Sequence, residues 1–311
     1  VRIPTEAHVI SADAPLAKAL LSAVLAMAAP AADATLPIQH WQTTSGARVL
    51  FVETHDLPML DLAVDFPAGA SRDPADKSGA ASMTLGLMRS GAAALGEDEI
   101  SERLANIGAD LSGRFDMDRA GYGLRTLSSA RERDEAVDLL AAVLQKPTFA
   151  QQIFEREQQR TLAALREAQT KPEVLADREF RHLLYGGHPY SRRGSGQVET
   201  LVTLRRDDVV EFYRQHFTAG GAVVSIIGDL TRSEAAAIAE HLTAGLSRRS
   251  QALPALPPVA QLKTAETSRI AHPATQAHIL IGQPGIKRLD PDYFALFLGN
   301  HVLGGGGFSS R

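Results

Sequence analysis

The chain has no cysteine among its 311 residues. Disulfides and thiolate metal sites are thereby excluded, and packing and hydrogen bonding must hold the fold. Aromatic residues are scarce, at 5% with one tryptophan. Charge of one sign is also scarce: the net charge is −4 and the pI near 6.2, so no field draws nucleic acid or an anionic membrane. No apolar run reaches the roughly 20 residues that a membrane span needs. There is no G-x-S-x-G elbow and no P-loop with its lysine. Ten histidines are present, but none lies four residues from another, so no helix face carries two imidazoles.

What is present begins with a leader. Lys18 precedes ALLSAVLAMAAPAADA, an apolar run ending in Ala32-Asp33-Ala34, which reads as a secretory signal over 1–34. A periplasmic or secreted protein is the expectation, with the mature chain starting near Thr35. GARVLFVETHDLPMLDLAVDFPAGA then alternates as two strands around His55-Asp56-Leu57-Pro58. Helices are expected at about 78–90 and across EDEISERLANIGA. The strands DLSGRFD and RAGYGLRTL follow, then a helix from Ser128 or Ser129 with Ala136, Leu139, Leu140 and Val143 on its apolar face. Residues 150–184 read as a charged helical stretch broken at Lys171-Pro172. RRDDVVEFYRQHF reads as a helix, AVVSIIGDL as a buried strand and SEAAAIAEHLTAGL as a closing helix.

SRRSQALPALPPVAQLK, roughly 247–262, is proline-rich and reads as an interdomain linker between a first domain at 35–246 and a second segment at 263–311. The second segment echoes the first. FPAGASRDPADKSGAASMTLGLMRSGA and GQPGIKRLDPDYFALFLGNHVLGGGG share a strand, a Pro/Gly turn, a basic residue, an Asp-Pro step, an apolar helix and a glycine stop. The expected architecture is α+β, a tandem repeat of one domain type with helices packed on an antiparallel or mixed sheet. The second copy is truncated, because a strand and helix alone cannot bury their apolar faces.

Chemistry is harder to find. Glu240-His241 follows Ala237 where a first histidine would be needed, and reads as solvated helix surface. Glu155, Glu157 and Glu167 are interleaved with Arg156, Arg160 and Arg166, a salt-bridged helix face. Ser195 has no placed base, and the glycines at 304–307 lack the lysine of a phosphate cradle.

The order of these motifs resembles the pitrilysin/insulinase-like zinc peptidases, which include mitochondrial processing peptidase and bacterial two-subunit relatives. AGASRDPADKSGAAS is similar to the approach to that family's metal helix. HPYSRRGSGQVETLVTLRRDDVVEFYRQHFTAGGAVVSIIGDL is similar to the segment closing its first domain, and NHVLGGGGFSSR to the start of its second. Active members carry H-x-x-E-H on the first helix. With Gly79 and Gly91 as the frame, Ser82 and Gly86 stand at the two zinc histidines and Leu85 at the general base. Counting from Glu157 puts the glutamate ligand at Ala164. Zinc hydrolysis needs a metal to acidify water and a carboxylate to take its proton, and these four side chains do neither.

The resemblance implies a non-catalytic subunit without zinc of its own, paired with a zinc-bearing homologous subunit. Together they would enclose peptide or unfolded protein. It also implies a substrate-handling loop at Gly304, Gly305, Gly306 and Gly307, against the plainer reading of a helix C-cap. An Arg and a Tyr that complete the substrate site would fall beyond Arg311, and the strand GRFDMD could pair with extended peptide along its edge. Rival readings are a structural subunit like the core proteins of respiratory complexes, a stand-alone peptide-binding module, and a hydrolase using Ser82.

Overall fold

The computed structural model describes residues 37–248 and 253–305. The leader expected at 1–34, residues 249–252 of the expected linker, and Gly306 and Gly307 lie outside the described residues.

The period-two alternation of the sequence becomes a sheet. In chain order its strands are β1 (Gln39–Gln42), β2 (Arg48–Glu53) and β3 (Met59–Phe66), with a small hairpin of β4 (Gly91–Ala92) and β5 (Leu95–Gly96) set apart. Then follow β6 (Asp110–Phe115), β7 (Ala120–Leu127) and β8 (Val223–Gly228). The main sheet has the order β1-β2-β8-β3-β7-β6. Its core face carries Val49 and Phe51, then Leu60, Leu62, Val64 and Phe66, then Tyr122 and Leu124, then Val224 and Ile226, all buried. Gly121 is required where β7 meets β3, since a Cβ there would lie 1.9 Å from the Val64 carbonyl oxygen.

One pairing departs from the sequence reading. β2 and β3 are consecutive, yet β8 lies between them, parallel to β2 and antiparallel to β3. The link at 54–58 therefore crosses two strand spacings, about 10 Å, instead of making a tight hairpin. Thr54 N–H donates to the Gly228 carbonyl and Asp229 N–H to the Met59 carbonyl, fastening the crossing at both ends.

The helices cover the core face. They are α1 (Ala80–Arg89), α2 (Glu97–Asn106), α3 (Ala130–Gln145), α4 (Gln151–Ala168), α5 (Pro172–Tyr185), α6 (Val198–Thr203), α7 (Arg206–His216) and α8 (Arg232–Thr243). The expected face of α3 is the buried one, with Ala136, Leu139, Leu140 and Val143 at or below 1% exposure. The break at Lys171-Pro172 separates α4 from α5 because Pro172 has no N–H to continue a helix and fits a first turn. The charged α4 is ion-paired as expected: Glu157 takes Arg156 at 2.9 Å and Arg160 at 2.7 Å. Glu240 and His241 are engaged at the surface, Glu240 with Thr44 and His241 with Asp138 at 2.7 Å.

After the proline-rich segment the chain has no strand among the described residues until α9 (Tyr293–Asn300) and a π turn at His301–Gly305. The apolar strand expected in the second copy does not form. Ile279 and Ile281 stand 81% and 92% exposed. A strand is held by its neighbours' backbone groups, and no described strand pairs with this one.

Candidate functional site

The region holding Ser82, Leu85 and Gly86 is built from a turn upward. Gly69 lets two turns touch, since a Cβ there would meet the Arg119 nitrogen at 2.4 Å. Ala70 N–H then donates to the Asp116 carbonyl and Ser71 N–H to the Met117 carbonyl, seating the short 3-10 turn Ala70–Arg72. Asp73 follows. Its carboxylate reaches forward over six residues to accept from Gly79 N–H at 2.7 Å and Ala81 N–H at 2.8 Å, capping α1. Burial pushes Asp73 up to about 7, against the pull of those two N–H groups and of Arg192. The sequence reading noted Asp73 only as half of an Asp-Pro step; its capping role depends on a fold-back that local spacing does not show.

Gly79 has φ +104°, a left-handed conformation open to glycine, and a Cβ on it would lie 3.3 Å from the Gly196 Cα. The loop 191–197 thus rests directly on the start of α1. Seven of the ten residues of α1 are buried: Ala80, Ala81, Met83, Thr84, Leu85, Leu87 and Met88. A helix enclosed on nearly all sides must be made of small and apolar residues, which accounts for its composition.

Ser82, Leu85 and Gly86 sit at i, i+3 and i+4 and share one face. Ser82 Oγ is spent on the Gly79 carbonyl at 3.1 Å. Leu85 is buried and comes within 3.6 Å of the place a Cβ on Gly113 of β6 would occupy, while its carbonyl accepts from the Tyr122 hydroxyl. Burial raises the Tyr122 hydroxyl above the usual phenol range, so it remains a donor. Gly86 is exposed, with open space where a Cβ would stand. Ala164 is exposed on α4, one turn past Thr161, whose hydroxyl contacts Met83 Sδ of α1 at 3.8 Å. Ala164 thus lies on a helix packed against the one that carries the other three positions.

A zinc ion needs imidazole, carboxylate or thiolate donors. These positions supply one hydroxyl, already bonded to backbone, and three groups without a donor atom. Among the described residues no three of His, Cys, Asp and Glu gather in a metal-holding arrangement. The residues do not fit zinc.

β6 forms the sheet edge beside this face, pairing among the described residues with β7 alone. Arg89, one turn past Leu85 and Gly86, donates from Nη1 to the Leu111 carbonyl at 2.8 Å and so occupies one backbone acceptor of β6. Sequence reasoning missed both Arg89 and Tyr122, since their partners are backbone atoms distant in the chain. Gly304 and Gly305 are not brought to this region; they lie in the exposed π turn after α9.

Two family models match: "Insulinase (Peptidase family M16)" over residues 48–193 and "Peptidase M16 inactive domain" over residues 203–311. The chain belongs to the M16 peptidase family. It is 25% identical over 282 residues to the probable mitochondrial-processing peptidase subunit beta of Schizosaccharomyces pombe, covering 87% of this chain and 60% of that protein. It is 26% identical over 274 residues to the non-peptidase homolog YmxG of Helicobacter pylori, covering 85% and 60%. Among solved structures, a peptidase M16 inactive domain from Pseudomonas fluorescens superposes with TM-score 0.79 at 35% identity, covering 89% of this chain and 66% of that one. The chain thus spans about 60% of the length of these two curated relatives. Its mixed sheet with helices on one face is the M16 domain fold, and the segment after the proline-rich stretch is a partial second copy.

Proposed function

We propose that this M16 chain is a non-catalytic subunit of a heteromeric, periplasmic or secreted metallopeptidase. A homologous zinc-bearing subunit supplies the chemistry, and this chain helps enclose peptide or unfolded protein. The observation that carries the reading is the state of α1. It has its Asp73 cap, its glycine start and its packing under Tyr122, while Ser82, Leu85 and Gly86, with Ala164 on α4, present no donor set for zinc where the family resemblance would put two ligands, the base and the third ligand. A helix kept for its shape without its donors supports a role in packing and pairing.

The leader at 1–34 supports the location, and the exposed apolar residues of α9 and of the segment before it support a chain that buries more surface in its assembly. β6 supports substrate contact over Gly113–Phe115, the part of the edge beyond the carbonyl taken by Arg89.

The test is reconstitution. The isolated chain is expected to carry no stoichiometric zinc and to cleave no peptide. Mixed with a homologue bearing intact H-x-x-E-H, it is expected to form a complex that degrades unstructured peptide faster than that homologue alone. Stoichiometric zinc with chelator-sensitive activity in the isolated chain overturns the reading. Isolation of the chain within a membrane-embedded complex instead favours the structural-subunit role.

A further inference from the structure

The proline-rich segment expected as a plain linker is gripped by the first copy. Leu253, Leu256 and Val259 are half-buried, whereas Pro254, Ala255, Pro257, Pro258 and Ala260 are exposed. Burial at every third residue fits neither a helix nor a strand. It is the period of polyproline II, to which three prolines with fixed φ dispose the chain. The grip has the same period. Arg72 Nη1 donates to the Pro254 carbonyl at 2.7 Å, and three residues later His188 Nε2 meets the Pro257 carbonyl at 2.9 Å. Polyproline II makes no internal hydrogen bonds, so its carbonyls are available to be read from outside.

His188 is the more chemically defined of the two anchors. The residue is 8% exposed, and its Nδ1 accepts from the Tyr190 backbone N–H at 3.1 Å. One ring nitrogen accepts, so the proton sits on the other, and Nε2–H donates to Pro257. Tyr190 and Tyr185 flank the imidazole, with ring centroids 4.7 and 6.3 Å away.

We propose that residues 253–259 form a polyproline II clasp read by Arg72 and His188, and that loss of either anchor opens it. The clasp fixes where the chain departs from the first copy, and its opening frees the segment that carries the second. The inference stands on these contacts and not on the proposed peptidase role.

The absence of cysteine makes a test direct. Ala255→Cys places a single thiol on an exposed residue of the clasp in the full chain, for a nitroxide spin label. The expected spectrum is immobilised when both anchors are present. Arg72→Ala and His188→Ala, each of which removes one anchor, are expected to raise the mobile fraction several-fold. His188→Gln keeps an N–H donor for the Pro257 carbonyl, so the label is expected to stay immobilised. A spectrum that neither alanine variant changes overturns the proposal, and so does the same rise in His188→Gln, since the hydrogen bond would then not be what holds the segment.

Discussion

The two copies of the repeat present the same order of features in opposite states. In the first, an Asp-Pro step leads into α1, which is enclosed by the sheet, α4 and α7. In the second, an Asp-Pro step leads into α9, where Phe294, Leu296, Phe297 and Leu298 are 56–70% exposed. Local sequence makes a helix in both places. What differs is the sheet: β6 and β7 lie against α1, and no described strand is shown against α9. Helix formation is thus local here, whereas burial, and with it stability, comes from strands far away in the chain. The same side chain should accordingly be worth much in one copy and little in the other.

The largest test of that contrast is truncation of a helical apolar side chain. Leu87→Ala, at a residue 2% exposed, should cost about 2–5 kcal/mol of unfolding free energy through lost transfer and a cavity. Phe297→Ala, at 63% exposure, should fall within about 0.5 kcal/mol. Urea denaturation followed by circular dichroism measures both, and similar losses would break the comparison.

The aspartates that precede the two helices give a smaller contrast with a pH signature. Asp73 is buried and satisfies two helix N–H groups, whereas Asp290 makes only a local bond to Asp292 N–H at 3.0 Å. Asp73→Ala should cost about 1–3 kcal/mol by leaving buried donors unpaired, and Asp290→Ala almost nothing. Because the folded-state value for Asp73, about 7, lies above its unfolded value of 3.8, the native state binds the extra proton between those limits. Its contribution therefore favours the fold most below the unfolded value, and stability declines as pH rises toward 7, levelling above it. Asp73→Asn should flatten that slope while Asp290→Asn leaves it in place. A slope unchanged by Asp73→Asn would assign it elsewhere.

The first copy was legible because its elements announce themselves locally. The alternation in MLDLAVDF, the apolar face of α3 and the Pro172 break each act over a few residues, and each appears where expected. The insertion of β8 between β2 and β3 was not legible, because strand order depends on pairings over 150 residues apart in sequence. The short β1 and α6 carry too few residues to show a period. The second-copy strand at Ile279 and Ile281 was read from the same apolar pattern and failed, since pattern specifies a face and not the neighbour that must cover it. At the site, the spacing of Ser82, Leu85 and Gly86 was fixed by helix geometry alone. The roles of Asp73, Arg89, Tyr122 and His188 were not, because each side chain bonds to backbone brought near only by the fold.

The finest test of the contrast uses glycine. Gly86 and Gly299 both lie inside helices, and a Cβ at either position would meet nothing within 4 Å. Alanine in place of an interior helical glycine favours the helix by about 0.5–1 kcal/mol. For Gly86→Ala that gain should appear in full as global stability, because α1 unfolds with the sheet that encloses it. For Gly299→Ala it should appear only as added helicity in α9, with the main unfolding midpoint unmoved. The Gly86 substitution also bears on the history of the site. If the position once served a ligand and now serves only packing, filling it should raise stability without altering reconstituted peptidase activity. A loss of that activity, with stability raised as expected, would mean that the open space beside β6 is used by the substrate.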